Sequence, residues 1–282
     1  MRAPVPLDHA VINTRFAMDD AAARFARLGF QLTPRGYHSL GSINHLMIGS
    51  SDYLELIGLP AEAPEGRPGR PEIAQAPLGI NGLVFKTDDV DETHAHLQAI
   101  GLAGDPPKAF TRPVDLPDGS RDASFRTVHV RPDAFPGGRV YFCEHGTPDL
   151  VWRPEWQRHA NGADAIVEFV IASRQRDREA EAFSNLLRAD IQNEGAGLMV
   201  PLDGARLTLL DPTAYRDRYG DLASPMDGRE SIFGALVFHS GDLAGLRDGL
   251  QAAGDEAVPS KITDGAIVLR EPAFDSVLEF RT

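Results

Sequence analysis

Two short apolar strings carry the residues with the most chemical potential. DHAVINT at Asp8–Thr14 sets His9 beside Asp8 at the head of an apolar run, and DYLELIG at Asp52–Gly58 sets Glu55 between two leucines. A second lone glutamate, Glu279, sits in SVLEF at Ser276–Phe280, near the other end of the chain. A carboxylate inside a half-buried strand is costly unless a cation or a hydrogen-bond donor meets it. His9 is the partner expected for Glu55, so a small metal or acid–base site is the leading expectation. Each residue also has a purely structural reading: His9 as a core histidine bonded to backbone, Glu55 as a salt-bridged edge-strand residue.

Other chemistries find no support. The chain has no GxxxxGK[ST] phosphate loop, no HExxH, no CxxC and no GxSxG nucleophile elbow. A net charge of −13, from 41 acidic against 28 basic residues, opposes binding to nucleic acid or to an anionic membrane. One cysteine, Cys143, excludes an internal disulfide and suits a reducing, cytoplasmic compartment; no basic cluster adjoins it, so an inert thiol is expected. No apolar run approaches the roughly 18–20 residues that span a bilayer. The start, MRAPVPLDHAVINT, has no apolar signal core, so no export signal is expected.

The elements that must position these residues are announced by an internal repeat. LVFKTDDVDETHAHLQAIG from Leu83 falls on LVFHSGDLAGLRDGLQAAG from Leu236 without a gap. Both copies read as a buried strand, an aspartate N-cap, an amphipathic helix and a glycine stop. Looser copies begin at DHAVINT and at VEFVIAS (Val167–Ser173), and short alternating strands follow each helix. At 282 residues the chain accommodates four strand–helix–strand–strand–strand units, at about 6–59, 79–147, 164–212 and 231–282. They group as an N-terminal half (1–147) and a C-terminal half (164–282), divided by a linker at 148–163. The Pro/Gly-rich stretch Leu59–Gly79 reads as an exposed connector and Asp105–Asp122 as a second, irregular loop. Trp152 and Trp156, in the linker, are expected to fasten the halves together.

With that layout in hand, LDHAVINT, NHLMIGSSDYLELIG and YFCEHGTPDLVWRPEWQRHANGA resemble the vicinal oxygen chelate superfamily, in particular its glyoxalase-like branch. The resemblance covers nearly the whole chain. It implies an α+β fold in which four βαβββ modules pair into two glyoxalase-like domains with cup-shaped, mostly antiparallel sheets. It also implies a divalent metal ion (Fe, Mn, Zn or Ni) in the cup, held by residues of the first and last strand of each module.

Carried over residue by residue, the resemblance gives His9 and Glu55 as metal ligands. Gly82 stands at the first-strand position of module two and cannot bind metal; its missing side chain is expected to enlarge the cup. The last strand of that module, RVYFCEH, offers Glu144 and His145. If Val140 and Phe142 pack on the helix, Tyr141, Cys143 and His145 face the cup, which favours His145 as the third ligand. The family position favours Glu144, and a bulge would reverse the parity. Glu144, if it faces the cup, would shuttle a proton. The C-terminal half offers Glu168 and Glu279 with Thr208 and Ala235, a poor transition-metal set. Arg112 and Arg121 are candidates to clamp an acidic group of a substrate.

The implied activity is that of a metalloenzyme acting on a small oxygenated metabolite as a lyase or isomerase. A metal-free small-molecule binder of the resistance type and a ring-cleaving dioxygenase are the alternatives. A small molecule is the expected partner, with no nucleic acid and no membrane, for a monomer or homodimer.

Overall fold

The computed structural model describes residues 4–61, 70–117, 119–252 and 258–282. Asp118, within the Asp105–Asp122 stretch, and residues 62–69 of the connector lie outside them. Two eight-stranded sheets are built in the same way. The first contains β1 (Leu7–Arg15), β2 (Gly36–Tyr37), β3 (Ile43–Ile48), β4 (Tyr53–Gly58), β5 (Gly79–Lys86), β6 (Lys108–Leu116), β7 (Gly119–His129) and β8 (Arg139–His145), in the spatial order 2-3-4-1-5-8-7-6. The second uses β9 (Ala163–Ser173), β10 (Gln192–Glu194), β11 (Gly197–Pro201), β12 (Arg206–Leu210), β13 (Ser231–Ser240), β14 (Ser260–Ile262), β15 (Ala266–Glu271) and β16 (Ser276–Arg281), in the order 10-11-12-9-13-16-15-14. The repeat read in the sequence is therefore a repeat of topology, and the class is α+β.

Strand alternation sorts the side chains into layers. In β1, Leu7, Ala10 and Ile12 face outward into a core shared with α1 (Met18–Arg27), α3 (Val90–Ala99), α4 (Arg176–Leu187) and α6 (Leu243–Ala252). Both halves contribute to that core; Phe135 stacks on Phe183 at 4.1 Å between ring centres. Asp89 caps α3 as its sequence suggested, accepting from the backbone N–H of Asp91 and Glu92. The inner faces form two separate apolar clusters, one in each cup.

Three expectations about connections are corrected. The stretch expected as an irregular loop at Asp105–Asp122 is largely the β6–β7 hairpin. Its pattern is legible once Phe110, Arg112 and Val114 are placed on one face, but Arg112 interrupts the apolar alternation that marks a strand. Pro113 is tolerated because β6 lies at the end of the sheet. That end approaches β2, where Ser39 N–H donates to the Thr111 carbonyl at 2.9 Å, so the first sheet nearly closes into a barrel.

The connector is structured at its C-terminal end, where α2 (Pro71–Ala74) buries Ile73 in the cup. Asn13 fixes it by donating to the carbonyls of Ile73 at 2.9 Å and Pro77 at 3.1 Å. Trp156 and Trp152 do not bridge the halves: both pack with the N-terminal cup cluster, and Trp152 stands 4.8 Å from the His145 ring.

Candidate functional site

A β-bulge in β1 creates the centre of the N-terminal cup. Leu7 pairs with Phe85 and His9 with Val84, so Asp8 is an extra residue on its strand. Two consecutive side chains, Asp8 and His9, therefore enter the cup where strict alternation would admit one. Simple parity could not show this.

Asp8 is fully buried and holds two imidazoles. His9 Nδ1 lies 2.5 Å from Asp8 Oδ1, and His145 Nε2 lies 2.9 and 3.1 Å from the two carboxylate oxygens. Burial alone would raise the carboxyl pKa, but the hydrogen bonds and charges of His145 and His9 hold it well below the usual carboxylate range. An ionised carboxylate only accepts, so both imidazole nitrogens donate to it. A neutral His9 held in this way presents Nε2 as a lone pair, the tautomer that a metal ligand needs. His145 presents Nδ1, which is buried and has no partner among the described residues.

The other ring nitrogen of His9 looks toward Glu55 and Tyr141. Nε2 stands 3.6 Å from Glu55 Oε2 and 3.3 Å from the Tyr141 hydroxyl. Glu55 Oε1 accepts from Asn44 Nδ2 at 2.6 Å, and the same amide donates to His38 Nε2 at 3.2 Å. His38 Nδ1 reaches Ser42 Oγ at 2.8 Å, and burial pushes its pKa down to about 4, so it stays neutral at pH 7. This chain of bonds fixes one oxygen of Glu55 and leaves the other facing His9. Tyr53 stacks on the His9 ring at 4.3 Å and holds its plane.

The register also shows which positions of the two modules are equivalent. Glu55 pairs with Val11, and Tyr141 pairs with Val84, the residue two places after Gly82. Tyr141 thus holds in module two the place that Glu55 holds in module one, a site residue that the sequence reading did not propose. Burial raises its pKa and keeps the phenol protonated, a hydrogen-bond donor and a poor metal ligand.

Glu144 is turned away from the cup. Its Oε2 accepts from Val90 N–H at 3.0 Å, at the N-terminus of α3, and lies 3.6 Å from Arg126. The proton-shuttle role expected for it is therefore corrected to that of a helix cap. Glu144→Gln is expected to cost no more than about 1 kcal/mol in denaturant unfolding and to leave metal affinity unchanged.

Gly82 does not enlarge the cup either. A Cβ there would lie 2.7 Å from Val11 Cβ, so the neighbouring valine already fills the space. Arg121 is exposed on β7, whereas Arg112 is buried in the cup.

The donors decide whether a divalent ion fits. His9 Nε2 and Glu55 Oε2 are an imidazole lone pair and a carboxylate oxygen aimed at one point, with a spacing that suits two ligands of one ion. The pair fits. His145 does not complete it: among the described residues no group of three His, Cys, Asp or Glu donors within 4.8 Å of one another includes His9 and Glu55. His145 instead belongs with Asp8 and Cys143 to the one group among the described residues whose three donor atoms lie within 4.8 Å of one another. Burial raises the Cys143 thiol well above its usual pKa, and Asp8 is already engaged by two imidazoles, so this second group is the poorer host.

The C-terminal cup is closed. α5 (Pro212–Tyr219), which the sequence reading did not foresee, places Tyr215 and Tyr219 in its apolar cluster. Glu168 occupies the place of His9, since both pair with equivalent valines, and it receives Arg218 at 2.7 and 3.0 Å and Arg206 at 3.2 Å. Glu279 accepts from Arg218 and from the Tyr219 hydroxyl, each at 3.1 Å. Both carboxylates are committed within the chain.

Comparison with known proteins matches this geometry at the level of fold. The family model described as "Glyoxalase-like domain" matches residues 7–187. A hypothetical protein from Staphylococcus aureus superposes with a TM-score of 0.66 at 13% identity, over 98% of this chain and 99% of that one. A mutant of 4-hydroxymandelate synthase from Streptomyces coelicolor gives 0.57 at 15% identity, over 99% and 92%. A fusion of a xylose isomerase-like TIM barrel with 4-hydroxyphenylpyruvate dioxygenase gives 0.58 at 15% identity, over 99% of this chain and 49% of that one. No curated protein matches the sequence.

Proposed function

The chain belongs to the glyoxalase-like domain family, and from that premise we propose that its N-terminal cup is an enzyme site for a small oxygenated metabolite, assisted by one divalent cation. His9 and Glu55 would hold the ion, and Fe²⁺, Mn²⁺, Zn²⁺ or Ni²⁺ suits such donors. When bound, it supplies Lewis-acid polarisation of a carbonyl or enolate oxygen.

The observation that carries this reading is the facing pair itself. His9 is held by Asp8 with its lone pair outward, 3.6 Å from a carboxylate oxygen that also has only lone pairs to offer. A divalent cation between them would take a ligand from each, in place of the Tyr141 hydroxyl that stands 3.3 Å from the same nitrogen. The chain's own residues do the rest of the positioning. Asp8 sets the tautomer, Asn44 orients Glu55, and Tyr53 holds the imidazole plane. Tyr141 keeps its phenolic proton and can donate it to a bound oxygen.

Within enzymes, the geometry favours a lyase or isomerase over oxygen-dependent ring cleavage. The latter calls for two histidines and a carboxylate on one ion, and the second imidazole, His145, lies grouped with Asp8 and Cys143 rather than with His9 and Glu55. The fold shared with the 4-hydroxyphenylpyruvate dioxygenase fusion keeps ring cleavage as the second reading.

Metal analysis of protein purified without chelator tests the proposal. A stoichiometric transition metal in the wild type, lost in His9→Ala and Glu55→Gln, is the expected result. Absence of metal from wild type, even after incubation with Mn²⁺, Ni²⁺ or Zn²⁺, rejects it in favour of a metal-free binder.

A further inference from the structure

The least explained group in the molecule is the guanidinium of Arg112. It is 2% exposed, on the cup face of β6, and its Nε and one terminal nitrogen are enclosed with no hydrogen-bond partner among the described residues. No carboxylate among them lies within ion-pair distance of it. Glu55, whose charge acts on it, is already engaged by Asn44 and faces His9. The fold makes room for it deliberately. A Cβ on Gly36 would collide with Arg112 Cδ and with Asn44 Oδ1, so a glycine on β2 is what admits the side chain. Asn44 Oδ1 is itself buried without a partner among the described residues.

The other cup shows what a satisfied buried arginine looks like in this protein. Arg218 enters a homologous sheet and meets both Glu168 and Glu279. Arg112 has the same kind of setting and no such counterion among the described residues. A buried cation without a partner is strongly unfavourable unless a ligand completes it.

We infer that Arg112 is the anchor for the carboxylate of a small monocarboxylic acid, which makes such acids the substrate class of the N-terminal cup. The inference deepens the proposed function and rests on that cup being the ligand site. A planar carboxylate matches the guanidinium fork with two parallel hydrogen bonds. A single unpaired cation suits a monoanion, while Asp8 and Glu55 in the same cup oppose a dianion such as phosphate. Beside Arg112, the stacked rings of Phe110 and Phe125, 5.2 Å apart, and the side chain of Val114 provide an apolar wall for the body of the acid.

Calorimetric titration with acetate, pyruvate, lactate and benzoate tests this, with benzamide and inorganic phosphate as the neutral and tetrahedral controls. Full-length protein is used both metal-free, after dialysis against EDTA, and metal-loaded. At least one acid is expected to bind the wild type, to weaken by about 10-fold or more in Arg112→Met, and to be partly restored in Arg112→Lys. Thermal unfolding is the companion measurement: Arg112→Met should raise Tm without ligand, and the acid should raise Tm in the wild type only. Failure of all four acids to bind, equal affinity in Arg112→Met, tighter binding of phosphate, or a lower Tm in ligand-free Arg112→Met each overturns the inference. Arg112-dependent binding to metal-free protein upholds it even if no metal is ever found. Metal binding on His9 and Glu55 with Arg112-independent acid binding removes it and leaves the metal site intact.

Discussion

Asp8→Asn is expected to weaken divalent-metal binding in the N-terminal cup by about 10- to 100-fold, although Asp8 is not one of the proposed ligands. The carboxylate accepts from His9 and from His145 at once. An asparagine has one acceptor oxygen and turns an N–H₂ toward the other imidazole. If His9 meets the N–H₂, its Nδ1 must become the acceptor, and Nε2 then carries a proton toward Glu55. The lone pair that defines the site disappears.

The same substitution strands a buried polar contact, so denaturant unfolding should show a loss of about 3 kcal/mol. The pH dependence follows from the depressed pKa of Asp8. Its contribution is present above the unfolded carboxylate value, about 3.9, and is lost as pH falls below it toward the lower folded value. Asp8→Asn should flatten that acid limb. Unchanged metal affinity in Asp8→Asn would show that the tautomer is not set by this residue.

The second large effect belongs to the half without a proposed site. Arg218→Ala removes the bidentate partner of Glu168 and one partner of Glu279, leaving two carboxylates in an apolar cup with Arg206 and Arg281 as partial substitutes. A loss of about 3 kcal/mol is expected, the lower end for breaking a buried pair, because Arg218 keeps some exposure and its neighbours compensate in part. Burial opposes ionisation of Glu168, yet Arg218 and its neighbours bring its pKa down to about 2. Its stabilising share is complete above the unfolded value of roughly 4.3 and vanishes as pH drops toward 2. Urea unfolding between pH 7 and pH 3 measures both. A loss well under 1 kcal/mol at pH 7 would mean that the cluster behaves as a surface network.

The parts of this architecture that repeat were readable from residues. Strand, N-cap, helix and glycine recur with fixed spacing, and the apolar patterns around His9, Glu55, Gly82 and Glu279 fell on the strands that the sheets contain. What local pattern could not supply was register. The bulge that brings Asp8 beside His9 depends on how Leu7 and His9 pair with β5, a property of two strands. Tyr141 was placed on the cup face by alternation, but its equivalence to Glu55 appears only through the pairing of Val84. Arg112 was noticed for its charge, while its burial depends on Gly36, far away in sequence. The space expected at Gly82 was filled by Val11 for the same reason: a missing side chain on one strand says nothing about its neighbour.

If the cup centres on His9 and Glu55, a bound divalent ion lies between them. Crystals of the wild-type protein loaded with Mn²⁺ or Zn²⁺ should show an anomalous difference peak within bonding distance of His9 Nε2 and a Glu55 oxygen. A peak on Asp8, Cys143 and His145 instead, or no peak in the N-terminal cup, would contradict it.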